Sequence, residues 1–215
     1  MATAKFTQDG ILDATAEEVL VKGSSVTIGD VSRRLGAPSG SIYHRFPSRE
    51  DLLVRLWLRS VGRFHEAYLA AGRHKDPEQA LVDMALCVAS FTAQHQADAV
   101  GMTLYKQSRL VEIAPEARRG QVRTINDAVQ RRLVELTRRR YPRATQRRLA
   151  LVRVAAVESP YGLVRPYVWT TVPNWMAGAI EASTRAILRL GDRPAPRFSR
   201  AAPRSVDRAE GHPQV

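Results

Sequence analysis

The chain has 215 residues, a formal net charge of +12 and 44% hydrophobic residues, which leaves room for one domain, or a small module and a larger one, of ordinary soluble composition. No apolar run approaches the roughly 20 residues that cross a bilayer, so a membrane-spanning helix is excluded. A single cysteine, Cys87, excludes an internal disulfide and a cysteine-rich zinc site. Residues 1–22 contain no apolar h-region, so a secretory signal is not expected and the reading is cytoplasmic.

Taken in order, the pattern is helical throughout. Thr7 is placed to cap a first helix with Ile11, Leu12, Thr15, Ala16, Val19 and Leu20 on one face. Gly23 ends it, and Ser24-Ser25-Val26 is a short connector. Thr27 caps a second helix, with Asp30 at the position of a capping-box acid. Val31 and Leu35 face inward. Gly36-Ala37-Pro38 turns the chain into a short segment over 39–46. Pro47 ends that segment and Ser48 caps a long fourth helix, with Glu50 and Asp51 in its first turn. Leu53, Trp57, Val61, Phe64 and Tyr68 recur along it at helical spacing.

Residues 72–77 form a clear break. Leu81, Met84, Ala85, Val88 and Phe91 then mark an amphipathic helix, followed by a shorter one over about 100–110. Pro115 opens the next, with Val122, Ile125, Val129, Leu133 and Leu136 as its buried stripe and Tyr141-Pro142 as its end. Residues 144–159 are expected to be helical. Residues 160–173, rich in proline and aromatics, are expected to form a packed loop or a kinked helix end. The last helix spans 175–190, and 192–215 reads as a disordered tail. No strand pattern and no internal repeat is visible. The fold class expected is all-α.

Charge is uneven. Residues 109–153 hold thirteen basic and four acidic side chains. That block reads as an Arg-rich solvated helix face, with a polyanion contact as the alternative.

The segment 27–46, TIGDVSRRLGAPSGSIYHRF, is a helix, a glycine-containing turn and a second short helix. This is the layout of a helix-turn-helix reader. Ser39, Gly40 and Ser41 are small enough to let backbone approach phosphate or base edges. Tyr43, His44 and Arg45 supply donors, while Ile42 and Phe46 anchor the segment to a core. The pieces Thr27, Gly36-Ala37-Pro38, Gly40-Ser41-Ile42-Tyr43-His44-Arg45-Phe46, Pro47-Ser48-Arg49-Glu50 and Leu52-Leu53 resemble the DNA-binding module of TetR/AcrR-type transcriptional regulators. The likeness covers about residues 4–64. Two positions depart from the usual pattern: Pro38 replaces a turn serine and Arg49 a lysine.

The resemblance implies an N-terminal three-helix helix-turn-helix module over 4–64, with its motif at 27–46, and a C-terminal helical ligand-binding and dimerisation domain over 76–191. It implies that Thr27, Tyr43 and Arg49 meet phosphate, and that Ser39, Gly40, Ser41 and His44 lie at base edges or beside them, with Arg45 in the same donor set. The expected partners are a near-palindromic DNA duplex, a second copy of the chain and an unidentified small-molecule effector. A symmetric dimer is the usual way for so small a module to read a long site. The interface is expected on 144–159 and 175–190, through Ala155, Ala156, Ala179, Ser183, Ala186 and Ile187. Candidate effector-pocket residues are Trp57, Phe64, Tyr68, Met84, Phe91, His95, Met102, Tyr105, Tyr161, Arg165, Trp169 and Trp175; plain core packing is the alternative for each.

An enzyme is not expected. The five histidines, His44, His65, His74, His95 and His212, form no metal-ligand spacing. No nucleophile elbow or phosphate-cradling glycine loop is present. Cys87 and His95 are eight residues apart, about 12 Å of helical rise, too far for a dyad. No cofactor or metal is expected. The expected function is a DNA-binding transcriptional regulator, a repressor released by an effector; an activator, an effector-independent regulator and a ligand carrier with a vestigial DNA module are the alternatives.

Overall fold

Thr7 accepts a hydrogen bond from the Gly10 amide at 3.1 Å and so opens α1 (Gln8–Lys22). The structure, a computed structural model, describes residues 6–194; the expected tail lies outside them from 195 onward. Gly23 closes α1 at φ +58°, and the expected connector is one turn of 3₁₀ helix, Gly23–Ser25. Next come α2 (Ile28–Leu35), α3 (Ser39–Tyr43) and α4 (Arg49–Ala71). Ile11, Val19, Val31, Ile42, Phe46, Leu52, Leu53 and Leu56 form their common core. Burial of these apolar faces is what stabilises so small a module.

Gly36 joins α2 to α3 in the left-handed region, φ +59° and ψ 30°. A Cβ there would meet nothing within 4 Å, so only backbone strain opposes a substitution. Gly36→Ala is expected to cost about 1–2 kcal/mol in chemical denaturation; a change of a few tenths or less would contradict this.

The rest of the chain is α5 (Pro77–Gln94), α6 (Gln96–Thr103), α7 (Gln107–Ile113), α8 (Glu116–Thr124), α9 (Asp127–Arg140), α10 (Gln146–Arg153), α11 (Ser159–Val164) and α12 (Met176–Leu190). Two expected helices are therefore corrected. The one over 100–110 is split by a break at 104–106. The one opened by Pro115 is split at Ile125 and Asn126. Gln107 shows why: its amide donates to the carbonyls of Val122 and Arg123 at 2.8 and 3.2 Å, and Asn126 donates to its oxygen at 2.6 Å. A side chain from another helix thus takes the carbonyls that end α8.

The helix expected over 144–159 also differs. Its second half, Val154–Glu158, is a π-helical segment that runs on into α11 through Pro160 and then into a 3₁₀ turn, Arg165–Tyr167. Tyr68 donates to the Ala156 carbonyl at 2.6 Å and Thr184 to the Ala155 carbonyl at 3.1 Å. Side chains from α4 and α12 therefore hold the widened turn on both sides. The core of this half gathers Leu81, Met84, Ala85, Leu133, Leu136, Ala155, Ala156 and Ile180. Ala155 and Ala156 are fully buried there, so they pack inside the subunit and are not available to a partner.

The two halves are joined at several places, among them a cluster in which Val54, Trp57, Leu58 and Val61 of α4 pack on Leu110, Ala114 and Val122. Buried Asp98 of α6 accepts from Ser60 at 2.7 Å and from Arg63 at 3.1 Å on α4. Ala99 and Val100 of α6 complete the core of the N-terminal module. The segment after the 3₁₀ turn returns to the same core, where Val168 is buried. Gln96 holds that segment by donating to the carbonyls of Val168 and Thr170. Trp169 then lies over Gly23, 3.8 Å from where a Cβ would stand.

The Arg-rich block is not simply solvated. Arg132 and Arg139 donate to the carbonyls of Gly72 and Lys75, just past α4. Arg147 and Arg148 donate to those of Leu190 and Gly191 at the end of α12, at 2.7 and 3.0 Å. Arg140 bridges Glu78 and Asp192. Arg132, Arg147 and Arg148 thus satisfy carbonyls at helix C-termini, where the helix dipole favours positive charge, while Arg139 holds the loop before α5.

Candidate nucleic-acid interface and effector cavity

Thr27 and Asp30 build the entry to α2. The Thr27 hydroxyl accepts from the Asp30 amide at 3.2 Å, and the Asp30 carboxylate accepts from the Thr27 amide at 2.9 Å. This is the expected capping box. Lys22 and Arg33 also reach the carboxylate. The hydrogen bonds from Lys22 and Thr27 hold its carboxyl well below the ordinary aspartate value of 3.8. A depressed acid stabilises the fold above its unfolded value and loses that contribution as pH falls below it. Melting temperature is thus expected to drop on acidification below about pH 4, with a shallower slope in Asp30→Asn. Equal slopes for the two proteins would refute the assignment.

The second helix of the motif is a single short piece, and its polar residues face outward. Thr27, Ser39, Gly40, Tyr43 and His44 are exposed, while Ile42 and Phe46 are fully buried beneath them. Tyr43, 52% exposed, is a large aromatic left in solvent by a helix that is anchored on its other side. Ser41, Arg45 and Arg49 are half-buried. Arg45 donates back to the Ser41 carbonyl at 3.1 Å. Arg49 donates to the Val26 carbonyl at 2.6 Å and to that of Ser24. Its guanidinium therefore clamps the connector before α2, a positioning duty that the sequence did not suggest.

A cavity of about 500 Å³ lies beneath α4 in the C-terminal half. Its α4 wall is Trp57, Val61, Phe64, His65 and Tyr68, one face of the helix. Val88, Thr92, Ala99, Met102, Thr103 and Gln107 also line it, as do Asn126, Val129 and Gln130, and Arg153, Val157, Glu158 and Tyr161. Val164 and Val168 line it too. Of the expected pocket residues, Trp57, Phe64, Tyr68 and Met102 line this cavity, as does Tyr161.

Seven expected residues do not line it. Phe91 is core, edge-on to Phe64 at 5.3 Å, with His95 beyond it at 4.8 Å. His95 borders an outer crevice with Arg63 and Asp98. Tyr105 packs against the N-terminal core. Arg165 is exposed, Trp169 covers Gly23, and Trp175 is exposed beside Tyr167. Met84 is buried in the main core. The polar members Gln107, Asn126 and Gln130 were missed, because residue type alone does not show that α7 and α9 meet α4. Val61 and His65 were within reach, since they continue the Trp57–Tyr68 face.

Burial shifts the lining groups His65 and Tyr68, raising the Tyr68 phenol, and also Cys87, which lies outside this cavity. It lowers the His65 imidazole from its ordinary 6.5, against a smaller opposing effect from its hydrogen bond to the Ile125 backbone. It pushes the Cys87 thiol up to about 11, so that thiol is a protonated packing group and not a nucleophile. Among the described residues, no group of three or more His, Cys, Asp or Glu could hold a metal. No helix there is long and apolar enough to cross a membrane.

The outer face of α12 carries Gly178, Ala182, Ala186 and Leu190, four residues apart and all exposed. Val154 and Tyr161 are exposed on the neighbouring segment. Ala179, Ser183 and Ile187, expected at an interface, are half-buried against the subunit itself.

Comparison with known proteins follows the same division. Residues 11–56 match the family model described as bacterial regulatory proteins, tetR family. No curated protein matches the chain in sequence. Among solved structures, the TetR family transcriptional regulator PfmR from Thermus thermophilus is similar at 20% identity and TM-score 0.67, over 83% of this chain and 97% of that one. The ketosteroid transcriptional regulator KstR2 of Mycobacterium tuberculosis is similar at 17% identity and TM-score 0.65, over 88% and 95%. FadR of Bacillus subtilis, solved with stearoyl-CoA, is similar at 18% identity and TM-score 0.55, over 84% and 95%. At these identities the likeness is one of fold.

Proposed function

We propose that this chain, a TetR-family DNA-binding transcriptional regulator, is a homodimeric repressor that leaves its operator when a small molecule enters the cavity beneath α4. The observation that best supports this reading is the double duty of α4. Leu52, Leu53 and Leu56 at its start sit in the core that carries the recognition helix, and Trp57 to Tyr68 form a cavity wall. A ligand that prefers one setting of α4 therefore biases the setting of α3. FadR of Bacillus subtilis holds stearoyl-CoA, which supports reading such a cavity as an effector site.

In this reading Tyr43, Thr27 and the amides at the start of α2 meet phosphate, and Ser39, Gly40, Ser41 and His44 lie along base edges. Arg45 and Arg49 hold the module in shape and lend positive charge nearby. The partner copy docks on the outer face of α12, so that two recognition helices reach successive major grooves of a near-palindromic site.

Selection from a random duplex library is expected to return one near-palindromic sequence. Affinity for it should fall steeply with salt, because bound phosphates release counterions. Tyr43→Ala should weaken all duplexes alike, whereas His44→Ala should change which base is preferred. A library that returns no preferred sequence would overturn the reading.

A further inference from the structure

We propose that the cavity takes an uncharged, largely apolar molecule, with a hydrogen-bonding group such as a ketone, hydroxyl or amide turned to Asn126 and Gln130, and that it rejects carboxylates and acyl-CoA thioesters. This rests on the effector reading above and narrows it to a ligand class.

The first support is charge. Arg153 and Glu158 are the lining residues that carry full charge, and they pair with each other at 2.7 Å. His65 is held toward its neutral form by burial. A carboxylate entering this space finds no unpaired cation, and it loses hydration that nothing in the wall replaces. An acyl-CoA carries several phosphates, which proteins hold with several lysines or arginines. The one arginine among the lining residues already pairs with Glu158.

The second support is a donor count. Trp57 Nε1 donates to the Met102 carbonyl at 3.1 Å, and Tyr68 to that of Ala156 at 2.6 Å. Thr92 and Thr103 donate back to the carbonyls of Val88 and Val100 at 2.8 and 2.7 Å. Gln107 spends its amide on Val122 and Arg123, and Asn126 spends its own on Gln107. What remains open to a ligand is the Asn126 oxygen, the whole Gln130 amide and the Tyr161 hydroxyl, the last two without a protein partner among the described residues, together with the second ring nitrogen of His65. These groups carry no full charge and suit a neutral polar function. The deeper wall is Trp57, Val61, Tyr68, Val88, Val164 and Val168, all buried. A cavity of about 500 Å³ with such walls is of the size and character that encloses a drug-sized apolar body.

The test is isothermal titration of the full chain with two matched contrasts: decanamide against decanoate, and the neutral polycyclic ketone progesterone against decanoyl-CoA. The neutral member of each pair is expected to bind about tenfold or more tightly. Glu158 is 46% exposed in its side chain, so Glu158→Gln should fold normally while freeing Arg153. Decanoate should then gain about two- to fivefold in affinity relative to decanamide. Val157→Trp, and separately Val129→Phe from α9, should abolish decanamide binding by filling the space. Decanoate or decanoyl-CoA binding as tightly as its neutral counterpart overturns the proposal and leaves the effector reading standing. Binding that survives both filling variants overturns the placement in this cavity. If none of the four probes binds, the effector reading fails together with the proposal.

Discussion

An Ala182→Arg/Ala186→Arg double variant is expected to run as a monomer and to lose operator affinity by about 10²- to 10⁴-fold. Both residues are exposed on the outer face of α12, in line with Gly178 and Leu190. Two large cations there leave the internal packing of α12 untouched, because Ile180, Thr184 and Leu188 face the other way and are buried. They do block close approach of a second copy, whose matching face would carry the same charges in a two-fold interface. The loss arises because one recognition helix contacts only half of the site. The second contact is intramolecular in a dimer, and that advantage disappears with the interface. Sedimentation and mobility shift on the selected duplex measure the two halves of the expectation. A variant that stays dimeric would move the interface elsewhere; a monomer with undiminished affinity would show that one module suffices.

Phe46→Ala is expected to destabilise the protein by about 3–5 kcal/mol. Phe46 is fully buried beneath the recognition helix, with Ile42 and Leu53 in the same core. The Arg55 guanidinium lies over its ring at 5.0 Å, so the truncation removes that contact as well. For a chain of this length the melting temperature should fall by roughly 6–20 °C. Tyr43→Ala makes the contrasting case, since its ring lies in solvent. Its stability should stay within about 0.5 kcal/mol of wild type while DNA affinity falls. Calorimetry on the two variants separates a residue that carries the module from one proposed to read with it. Comparable losses of stability in both would undo the distinction.

The parts legible in the sequence are those set by neighbours along the chain. Thr27 and Asp30 announce their capping box because both partners lie within one helical turn. Trp57, Phe64 and Tyr68 announce the inner face of α4 because helical spacing puts them there. The parts that were not legible depend on side chains arriving from elsewhere. The stripe Val122–Ile125–Val129 continues in register across the end of α8, yet the helix stops where Gln107 takes its carbonyls. The π-helical turn at 154–158 has no local mark either, since Tyr68 and Thr184 come from α4 and α12 to hold it. Aromatic residues alone were a poor guide to the cavity. Trp169 and Trp175 are as large as Trp57, but only Trp57 lies on the helix face that meets α9.

The position of Val168 limits how freely the parts of this regulator could be exchanged. Its side chain sits in the same core as Ile11, Val31 and Ile42, and Trp169 covers the turn at Gly23. The reading head is therefore finished by residues encoded more than a hundred positions downstream. A chimera that moved residues 1–64 onto another regulator's body would carry the recognition helix but leave a gap where Val168, Ala99 and Val100 had been. Any graft that keeps the head intact has to bring those three positions with it, and recombination between relatives is tolerated only where the recipient body offers the same apolar plug.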